Sequence, residues 1–165
     1  MITLVLGGAR SGKSVVAERL AARRAGPVTY VATAAVDPAD GDHLERIRRH
    51  QERRDPSWTT VEATGALAVE ALGSISGTVL VDSLGTWLTG HVDLAADLSA
   101  LCGALTERSG DTVIVSEEVG LGVHPSSALG QRFRDALGEA NRAVADIADD
   151  VVLVVAGRVL PLERM

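Results

Sequence analysis

Apolar and polar positions alternate along the chain in blocks that predict β-strands and α-helices in turn. Short aliphatic runs predict strands, because strands covered on both faces of a sheet are apolar almost without interruption. These runs are Ile2–Leu6, Val28–Thr33, Thr78–Asp82, Thr112–Ser116 and Val151–Val155, with a shorter candidate at Trp58–Glu62. The intervening segments predict helices, at Lys13–Arg24, Asp42–Arg54, Ala66–Leu72, Ser83–Arg108 with an interruption near Gly90–Asp93, and Ala128–Ala148. Strands that alternate with helices are typical of an α/β fold. We therefore expect a single domain over residues 1–165, with a mainly parallel sheet flanked by helices and a short tail after the last strand.

Composition narrows the partners that this domain is expected to have. Aromatic residues make up only 2% of the chain, so its core should consist of aliphatic side chains, as in a parallel sheet. The formal net charge of −6 disfavours nucleic acid, because binding its phosphates requires a basic surface. No apolar run approaches the roughly 20 residues of a membrane span, and the N-terminus lacks the basic region of a signal peptide. We therefore expect a cytoplasmic protein without a membrane span.

The segment between the first strand and the first helix, Gly7–Ser14, reads GGARSGKS and fits the pattern G-x-x-x-x-G-K-[ST]. Its glycines let successive backbone N–H groups face one concavity, and the helix N-terminus adds partial positive charge there. We expect the phosphates of a nucleotide to bind here, with Lys13 at the β- and γ-phosphates and the Ser14 hydroxyl on Mg²⁺. The alternative is a glycine-rich turn without a ligand, and the strand before the motif and the helix after it favour phosphate binding. The predicted phosphate-binding residues are Gly7, Gly8, Ala9, Arg10, Ser11, Gly12, Lys13 and Ser14.

Carboxylates at the ends of two predicted strands are candidates for metal binding and proton transfer. Asp82 closes an aliphatic strand, a position from which an acid contacts Mg²⁺ in phosphate-loop proteins, and its alternative role is a helix N-cap. Glu117 and Glu118 follow another aliphatic strand, at the edge where α/β proteins bind ligands. One of them could accept a proton from a substrate hydroxyl or orient Mg²⁺, and the alternative is a solvated loop carboxylate. The spacing alone leaves both alternatives open.

The predicted helix that ends at Arg54 contains five arginines from Arg46 onwards, and His50 among them. Arginines suit a triphosphate, and an imidazole beside them could act as a nucleophile toward phosphorus. A histidine in an arginine-rich helix is more often a surface residue, and the residue pattern alone favours that interpretation.

Beyond the phosphate loop, the chain carries an ordered series of motifs that extends over nearly its whole length. They are YVAT at Tyr30–Thr33, RIRRHQERR-x₃-W-x₃-E at Arg46–Glu62, VLVDSLGTWLT at Val79–Thr89, EVGLGVHP at Glu118–Pro125, RFRDALGEAN at Arg132–Asn141 and VVLVVAG at Val151–Gly157. Together with GGARSGKS, this series resembles the bifunctional adenosylcobinamide kinase / adenosylcobinamide-phosphate guanylyltransferase family of cobalamin biosynthesis. The resemblance implies a RecA-like P-loop NTPase fold and a homotrimer. It also implies that the protein phosphorylates adenosylcobinamide with ATP or GTP, and that it then transfers GMP from GTP to the adenosylcobinamide phosphate through a guanylylated histidine.

The resemblance further implies roles for individual residues. The guanylylated histidine corresponds to His50, and Lys13 and Glu118 are the other residues expected to take part in catalysis. Mg²⁺ is expected on Ser14 and Asp82. The nucleotide contacts outside the phosphate loop are expected at Ala32, Thr33, Ala34, Gln51, Glu52, Arg53, Arg54, Glu62 and Asp82.

Several positions depart from the pattern of the family. Glu117 stands where the family often has Asn, so the family's role is not transferred to it. Gly85 stands where Thr is usual, and Asp42–His43 replaces an acidic residue followed by Met. None of these departures touches the phosphate loop or His50.

Two other functions are alternatives. A monofunctional P-loop kinase of a small molecule would keep the phosphate loop and have an inert His50. A RecA-like binding module would use the nucleotide only as a switch and would require a macromolecular partner.

Overall fold

The computed structural model describes residues 1–35, 41, 45, 48, 52 and 54–164. Most of the predicted helix Asp42–Arg54 therefore lies outside the described residues. Within that segment, Glu45, Arg48 and Glu52 have helical backbone, and Arg48 forms ion pairs with both glutamates. Pairs at these spacings are expected on the exposed face of a helix.

Within the described residues, seven strands form one sheet in the order β3-β2-β4-β5-β1-β6-β7, and all neighbouring pairs are parallel except β6 with β7. Their bounds are β1 Ile2–Gly7, β2 Val28–Ala32, β3 Thr59–Glu62, β4 Thr78–Asp82, β5 Thr112–Glu117, β6 Asp150–Val155 and β7 Arg158–Pro161. The strands predicted from the five aliphatic runs and the shorter candidate at Trp58–Glu62 are confirmed, and so is the α/β fold class with a mainly parallel sheet.

The predicted tail after the last parallel strand is wrong in one respect, because part of it forms β7. A two-residue turn, Ala156–Gly157, reverses the chain, with positive φ angles of 49° and 72°. Such a turn matches the twist of an antiparallel hairpin and lets Val155 pair with Arg158. Pro161 closes the strand at the sheet edge, where its missing N–H removes no interior ladder bond.

Apart from the helical residues within 41–52, the described part of the chain contains five α-helices, which cover the two faces of the sheet, and three of them have a side-chain N-cap. Their bounds are α1 Lys13–Ala22, α2 Ala66–Ser74, α3 Leu84–Thr89, α4 Leu98–Glu107 and α5 Ala128–Ile147. The side chains of Ser83, Asp97 and Ser127 accept hydrogen bonds from the first turns of α3, α4 and α5. The interruption expected near Gly90–Asp93 is confirmed, because a short 3₁₀ turn separates α3 from α4.

The apolar core lies in two layers, one on each face of the sheet. One layer contains buried residues of α2, α3, α4 and α5, among them Leu72, Trp87, Leu105 and Leu137. The other lies under α1 and contains Ala17 and Ala21 with strand residues such as Val5. Among the described helices, none combines the length and the hydropathy needed to cross a membrane.

The sheet register brings the ends of the parallel strands to one edge. Gly7 at the end of β1 is opposite Glu117 at the end of β5. Asp82 at the end of β4 is opposite Ala32 at the end of β2. Ligands of open parallel sheets bind outside this edge, so the polar residues just beyond these strand ends form the candidate site.

Candidate functional site

The phosphate loop joins β1 to α1 through a tight turn that the β6–β7 turn supports. The N–H of Ser11 donates to the carbonyl of Gly8 at 3.3 Å, and the carbonyl of Ser11 accepts from the N–H of Gly157 at 2.8 Å. Gly12 is the N-cap residue of α1 and has a φ of 92°. As a glycine, it supplies no side-chain cap to the first turn of this helix. Its left-handed conformation favours glycine. The loop thus presents the N-terminus of α1 as an anion site.

Lys13 and Glu117 meet beside this loop. The Nζ atom of Lys13 lies 3.6 Å from Oε1 of Glu117, and 13% of the lysine side chain and 29% of the glutamate side chain are exposed. The hydroxyl of Ser83, the N-cap of α3, donates to the same carboxylate, with both carboxylate oxygens at 3.1 Å. A lysine, a hydroxyl and a carboxylate from three different elements therefore converge at the sheet edge.

Glycine at position 85 makes room for this carboxylate. Gly85 lies in the first turn of α3, and a Cβ built there would overlap Oε2 of Glu117. The two departures from the family pattern at positions 85 and 117 therefore contact each other in the structure. Their spatial relation was not evident from their separation along the chain.

Glu118 makes its contacts with the phosphate loop and with the loop that follows β5. Its N–H donates to the carbonyl of Gly7 at 3.1 Å, which ties the end of β5 to the phosphate loop. Its Oε1 accepts from the N–H of Gly120 at 2.7 Å, within the loop that follows β5. The structure thus brings Glu117, rather than Glu118, to Lys13, and the catalytic role assigned to Glu118 stays a prediction.

Asp82 accepts a hydrogen bond from Tyr30, which was not among the predicted site residues. The hydroxyl of Tyr30 donates to Oδ2 of Asp82 at 2.9 Å, and the guanidinium of Arg54 lies 3.3 Å from the centroid of the Tyr30 ring. Burial, together with the charge of Asp82, raises the pKa of Tyr30 above its usual value. Tyr30 therefore remains a hydrogen-bond donor to Asp82. Its position in YVAT, opposite VLVD on the neighbouring strand, was the available sequence signal.

Asp82 and Ser14 supply oxygen donors that fit a Mg²⁺ ion. Mg²⁺ takes one or two protein oxygens beside phosphate oxygens and water, so a carboxylate and a hydroxyl are enough. Asp82 ends β4, Ser14 lies in the first turn of α1, and both are partly exposed. Ser83, and not Asp82, is the N-cap of α3, which leaves the alternative role of Asp82 as a cap without support.

The residues around Thr33 lie next to Asp82. Thr33 is fully buried, and its hydroxyl contacts the backbone of Ser83 and the hydroxyl of Thr86. This network joins the end of β2 to the start of α3. Ala32 and Ala34 flank it at the same edge of the sheet, and the nucleotide contacts expected at these three residues stay predictions.

The other predicted nucleotide contacts lie farther from the phosphate loop or outside the described residues. Glu62 is exposed on β3, and three strands separate β3 from β1. Glu52 is exposed and pairs with Arg48. Arg54 also donates to the Thr60 hydroxyl at 3.2 Å, which fixes the end of the arginine-rich segment on β3. The remaining predicted residues of this segment, His50, Gln51 and Arg53, lie outside the described residues.

Comparison with known proteins identifies relatives over almost the whole chain. Residues 3–162 match the family described as cobinamide kinase / cobinamide phosphate guanyltransferase. The bifunctional adenosylcobalamin biosynthesis protein CobP of Pseudomonas aeruginosa is 40% identical over 171 residues, which cover 99% of this chain and 98% of that protein. The bifunctional adenosylcobalamin biosynthesis protein CobU of Escherichia coli is 33% identical over 178 residues, with 95% of this chain and 97% of that protein covered.

A solved structure supports the fold alone. An ATPase from a bacterial type III secretion system has a TM-score of 0.58 at 11% identity. The match covers 92% of this chain and 50% of that one, so this chain spans half of the ATPase's length. The expected RecA-like P-loop fold is confirmed. With the near-complete match in sequence, it follows that the chain belongs to the cobinamide kinase / cobinamide phosphate guanyltransferase family.

Proposed function

We propose that this protein phosphorylates adenosylcobinamide with ATP or GTP and then transfers GMP from GTP to the product, which gives adenosylcobinamide-GDP. The observation that carries the proposal is the phosphate loop at the end of β1, in a chain that matches the family from residue 3 to residue 162. The match argues against a RecA-like switch module, since the family consists of group-transfer enzymes.

In the kinase step, the chain supplies positioning and positive charge. The backbone of Gly7–Ser14 and the N-terminus of α1 would hold the phosphates, and Lys13 would offset negative charge at the γ-phosphate. A Mg²⁺ ion held by Ser14, Asp82 and the nucleotide would supply further charge neutralisation at the phosphates. The hydroxyl oxygen of adenosylcobinamide forms the new bond to the γ-phosphorus, and the nucleoside diphosphate leaves.

In the guanylyl step, His50 acts as the nucleophile. An imidazole nitrogen of His50 forms a bond to the α-phosphorus of GTP while the bond to the β-phosphate breaks and pyrophosphate leaves. An oxygen of adenosylcobinamide phosphate then attacks the same phosphorus, and the nitrogen–phosphorus bond breaks. The contacts of Arg54 with Tyr30 and Thr60 support this assignment, because they tie Arg54, four residues after His50 in the sequence, to strands at the Asp82 edge.

We further propose that the chain folds as a single domain, acts as a homotrimer in the cytoplasm, and uses GTP, ATP and Mg²⁺ together with the two corrinoid substrates. The two relatives described above are both named bifunctional adenosylcobalamin biosynthesis proteins, which supports these substrates. All seven strands that the structure describes join one sheet, which supports a single domain.

Labelling with GTP that carries ³²P at the α-phosphate tests the guanylyl step. We expect the protein to acquire label that is labile in acid and stable in base, as a phosphoramidate is. We expect the label to disappear in His50→Ala and to remain in His43→Ala, which removes another histidine of the same segment. Addition of adenosylcobinamide phosphate should release the label as adenosylcobinamide-GDP.

Absence of label on the wild-type protein would exclude the guanylyltransferase half. If adenosylcobinamide were still phosphorylated, the protein would be a monofunctional kinase with an inert His50. Absence of both reactions would contradict the proposed function as a whole.

A further inference from the structure

The carboxylate of Glu117 contacts both the lysine of the phosphate loop and the hydroxyl of Ser83. Among the described residues, Glu117 is the carboxylate that forms an ion pair with Lys13, at 3.6 Å. Lys13 is the residue expected at the γ-phosphate, so this carboxylate lies at the end of the site where the phosphoryl group is transferred. Because 29% of its side chain is exposed, an incoming hydroxyl can reach it.

We propose that Glu117 is the catalytic base of the kinase step, which rests on the proposed function. The substrate hydroxyl forms its bond to the γ-phosphorus, the bond from that phosphorus to the bridging oxygen breaks, and the hydroxyl proton passes to the Glu117 carboxylate. The nucleoside diphosphate leaves with the electron pair of the broken bond. The carboxylate later releases the proton to water, so no further reactant is required.

The neighbouring carboxylates are engaged in other contacts. Oε1 of Glu118 accepts from the N–H of Gly120, and this hydrogen bond turns the side chain toward its own loop. Oδ2 of Asp82 accepts from Tyr30, and Asp82 is the residue whose position suits Mg²⁺. Glu117 is therefore the described acid whose position combines contact with Lys13 and access from solvent.

Ser83 and Gly85 act as positioning residues for this base. Ser83 is fixed as the N-cap of α3 by a reciprocal capping box with Thr86, so its hydroxyl is a rigid donor to the carboxylate. Gly85 leaves the space that the carboxylate occupies, because a Cβ there would overlap it. The two residues therefore hold the carboxylate beside Lys13.

If Glu117 were only a charge partner of Lys13, its removal would affect kcat and nucleotide affinity differently. A carboxylate that only neutralises the lysine competes with the nucleotide's phosphates, so its removal would tighten nucleotide binding and leave kcat unchanged. Removal of a base lowers kcat and leaves nucleotide binding largely unchanged, because the proton moves only during the reaction. Kinetics and nucleotide affinity together separate the two roles.

The first experiment uses Glu117→Gln, which keeps the shape of the side chain and removes the base. We expect kcat for phosphorylation of adenosylcobinamide to fall by about 100-fold or more, as for loss of a general base, with Kd for the nucleotide changed by less than about threefold. Glu117→Asp retains a carboxylate and should recover part of the rate. Glu107→Gln, on the exposed end of α4, is the charge-matched control.

Wild-type kcat in Glu117→Gln would overturn the proposal, as would loss of the rate in Glu118→Gln together with full activity in Glu117→Gln. Tighter nucleotide binding with unchanged kcat would assign Glu117 as a charge partner instead. Failure of the wild-type protein to phosphorylate adenosylcobinamide would contradict the proposed function, which distinguishes that failure from a failure of this inference.

A double-mutant cycle tests the positioning role of Gly85. Gly85→Ala should lower kcat for phosphorylation about tenfold or more by displacing the carboxylate. The same substitution in a Glu117→Ala background should have no further effect on the residual rate, because the displaced group is absent. Equal losses in both backgrounds would show that Gly85 acts independently of Glu117 and would overturn the positioning role.

Discussion

At the residue scale, the polar side chains at the ends of the parallel strands are oriented by contacts within the protein. Ser83 donates to Glu117, and Tyr30 donates to Asp82. Thr33, fully buried, holds the backbone of Ser83 in place. These contacts preorganise the carboxylates, so a nucleotide meets groups whose positions are already restricted.

The substitution Lys13→Ala should abolish phosphorylation and leave the fold intact. The lysine is expected to offset charge on the transferred phosphoryl group, and loss of such a contact lowers kcat by about 10²–10³-fold or more. Its ion pair with the partly exposed Glu117 contributes at most about 1 kcal/mol to stability. Initial rates of adenosylcobinamide phosphate formation, together with urea denaturation, measure both effects.

The matched control for that substitution is Arg19→Ala, which removes an exposed cation from the same helix. It should retain nearly full activity. Full turnover of Lys13→Ala would mean that Gly7–Ser14 does not bind the transferred phosphate.

At the element scale, a polar contact joins α5 to the end of β5. The hydroxyl of Ser116, which is fully buried, donates to Oδ1 of Asn141, and Nδ2 of Asn141 donates to the carbonyl of Glu117 at 3.0 Å. A single amide therefore satisfies two groups at the end of β5. It also fixes the backbone from which the Glu117 side chain extends.

The substitution Asn141→Ala should destabilise the protein by about 1–3 kcal/mol, because it leaves the buried Ser116 hydroxyl and the Glu117 carbonyl without their partner. Urea denaturation monitored by circular dichroism measures this change. Glu139→Ala, exposed on the same helix, should shift the midpoint much less. A midpoint for Asn141→Ala equal to that of wild type would show that water or a neighbour replaces the amide.

Four of the six parallel strands, β1, β2, β4 and β5, could be predicted from the sequence because they are buried and mainly apolar. β6 is an aliphatic run that is partly buried, and β3 was the shorter candidate because three of its four residues are exposed. β7 was not predicted in that way, since Pro161 interrupts its short apolar run and all four of its residues are exposed. The turn at Ala156–Gly157 places both residues at positive φ, and only the glycine signals this conformation in the sequence. The formation of an edge strand such as β7 depends on the neighbouring strand with which it pairs.

The candidate site likewise contains features that the local sequence predicts and features that depend on how distant elements pack. Gly7–Ser14 follows from local pattern, because strand, glycines and helix succeed one another directly along the chain. The contact between Gly85 and Glu117 depends on how α3 packs beside the end of β5, and no local pattern encodes that packing. The choice between Glu117 and Glu118 as the partner of Lys13 likewise required side-chain directions.

At the scale of the whole molecule, a nucleotide bound at the sheet edge would connect elements that are distant in the chain. The phosphate loop follows β1, Asp82 ends β4, and Glu117 ends β5. The two core layers lie beneath this edge, on either face of the sheet. A ligand that binds the folded protein and not the unfolded chain therefore stabilises the entire sheet.

Binding of GTP with Mg²⁺ should raise the melting temperature of the whole protein as one transition. A ligand at about 100 times its Kd contributes about 2.7 kcal/mol to the free energy of unfolding, which corresponds to a shift of about 5–10 °C for a domain of this size. Scanning calorimetry at fixed protein concentration measures the shift. Chelation of Mg²⁺ by EDTA should reduce it, because the phosphates then lose the positive charge of the ion that Asp82 and Ser14 are proposed to hold. The shift should also shrink in Lys13→Ala and persist in Arg19→Ala, since only the first loses a phosphate contact. An equal shift in wild type and Lys13→Ala would place the stabilising nucleotide away from the end of β1, because binding at this edge must respond to the loss of its lysine.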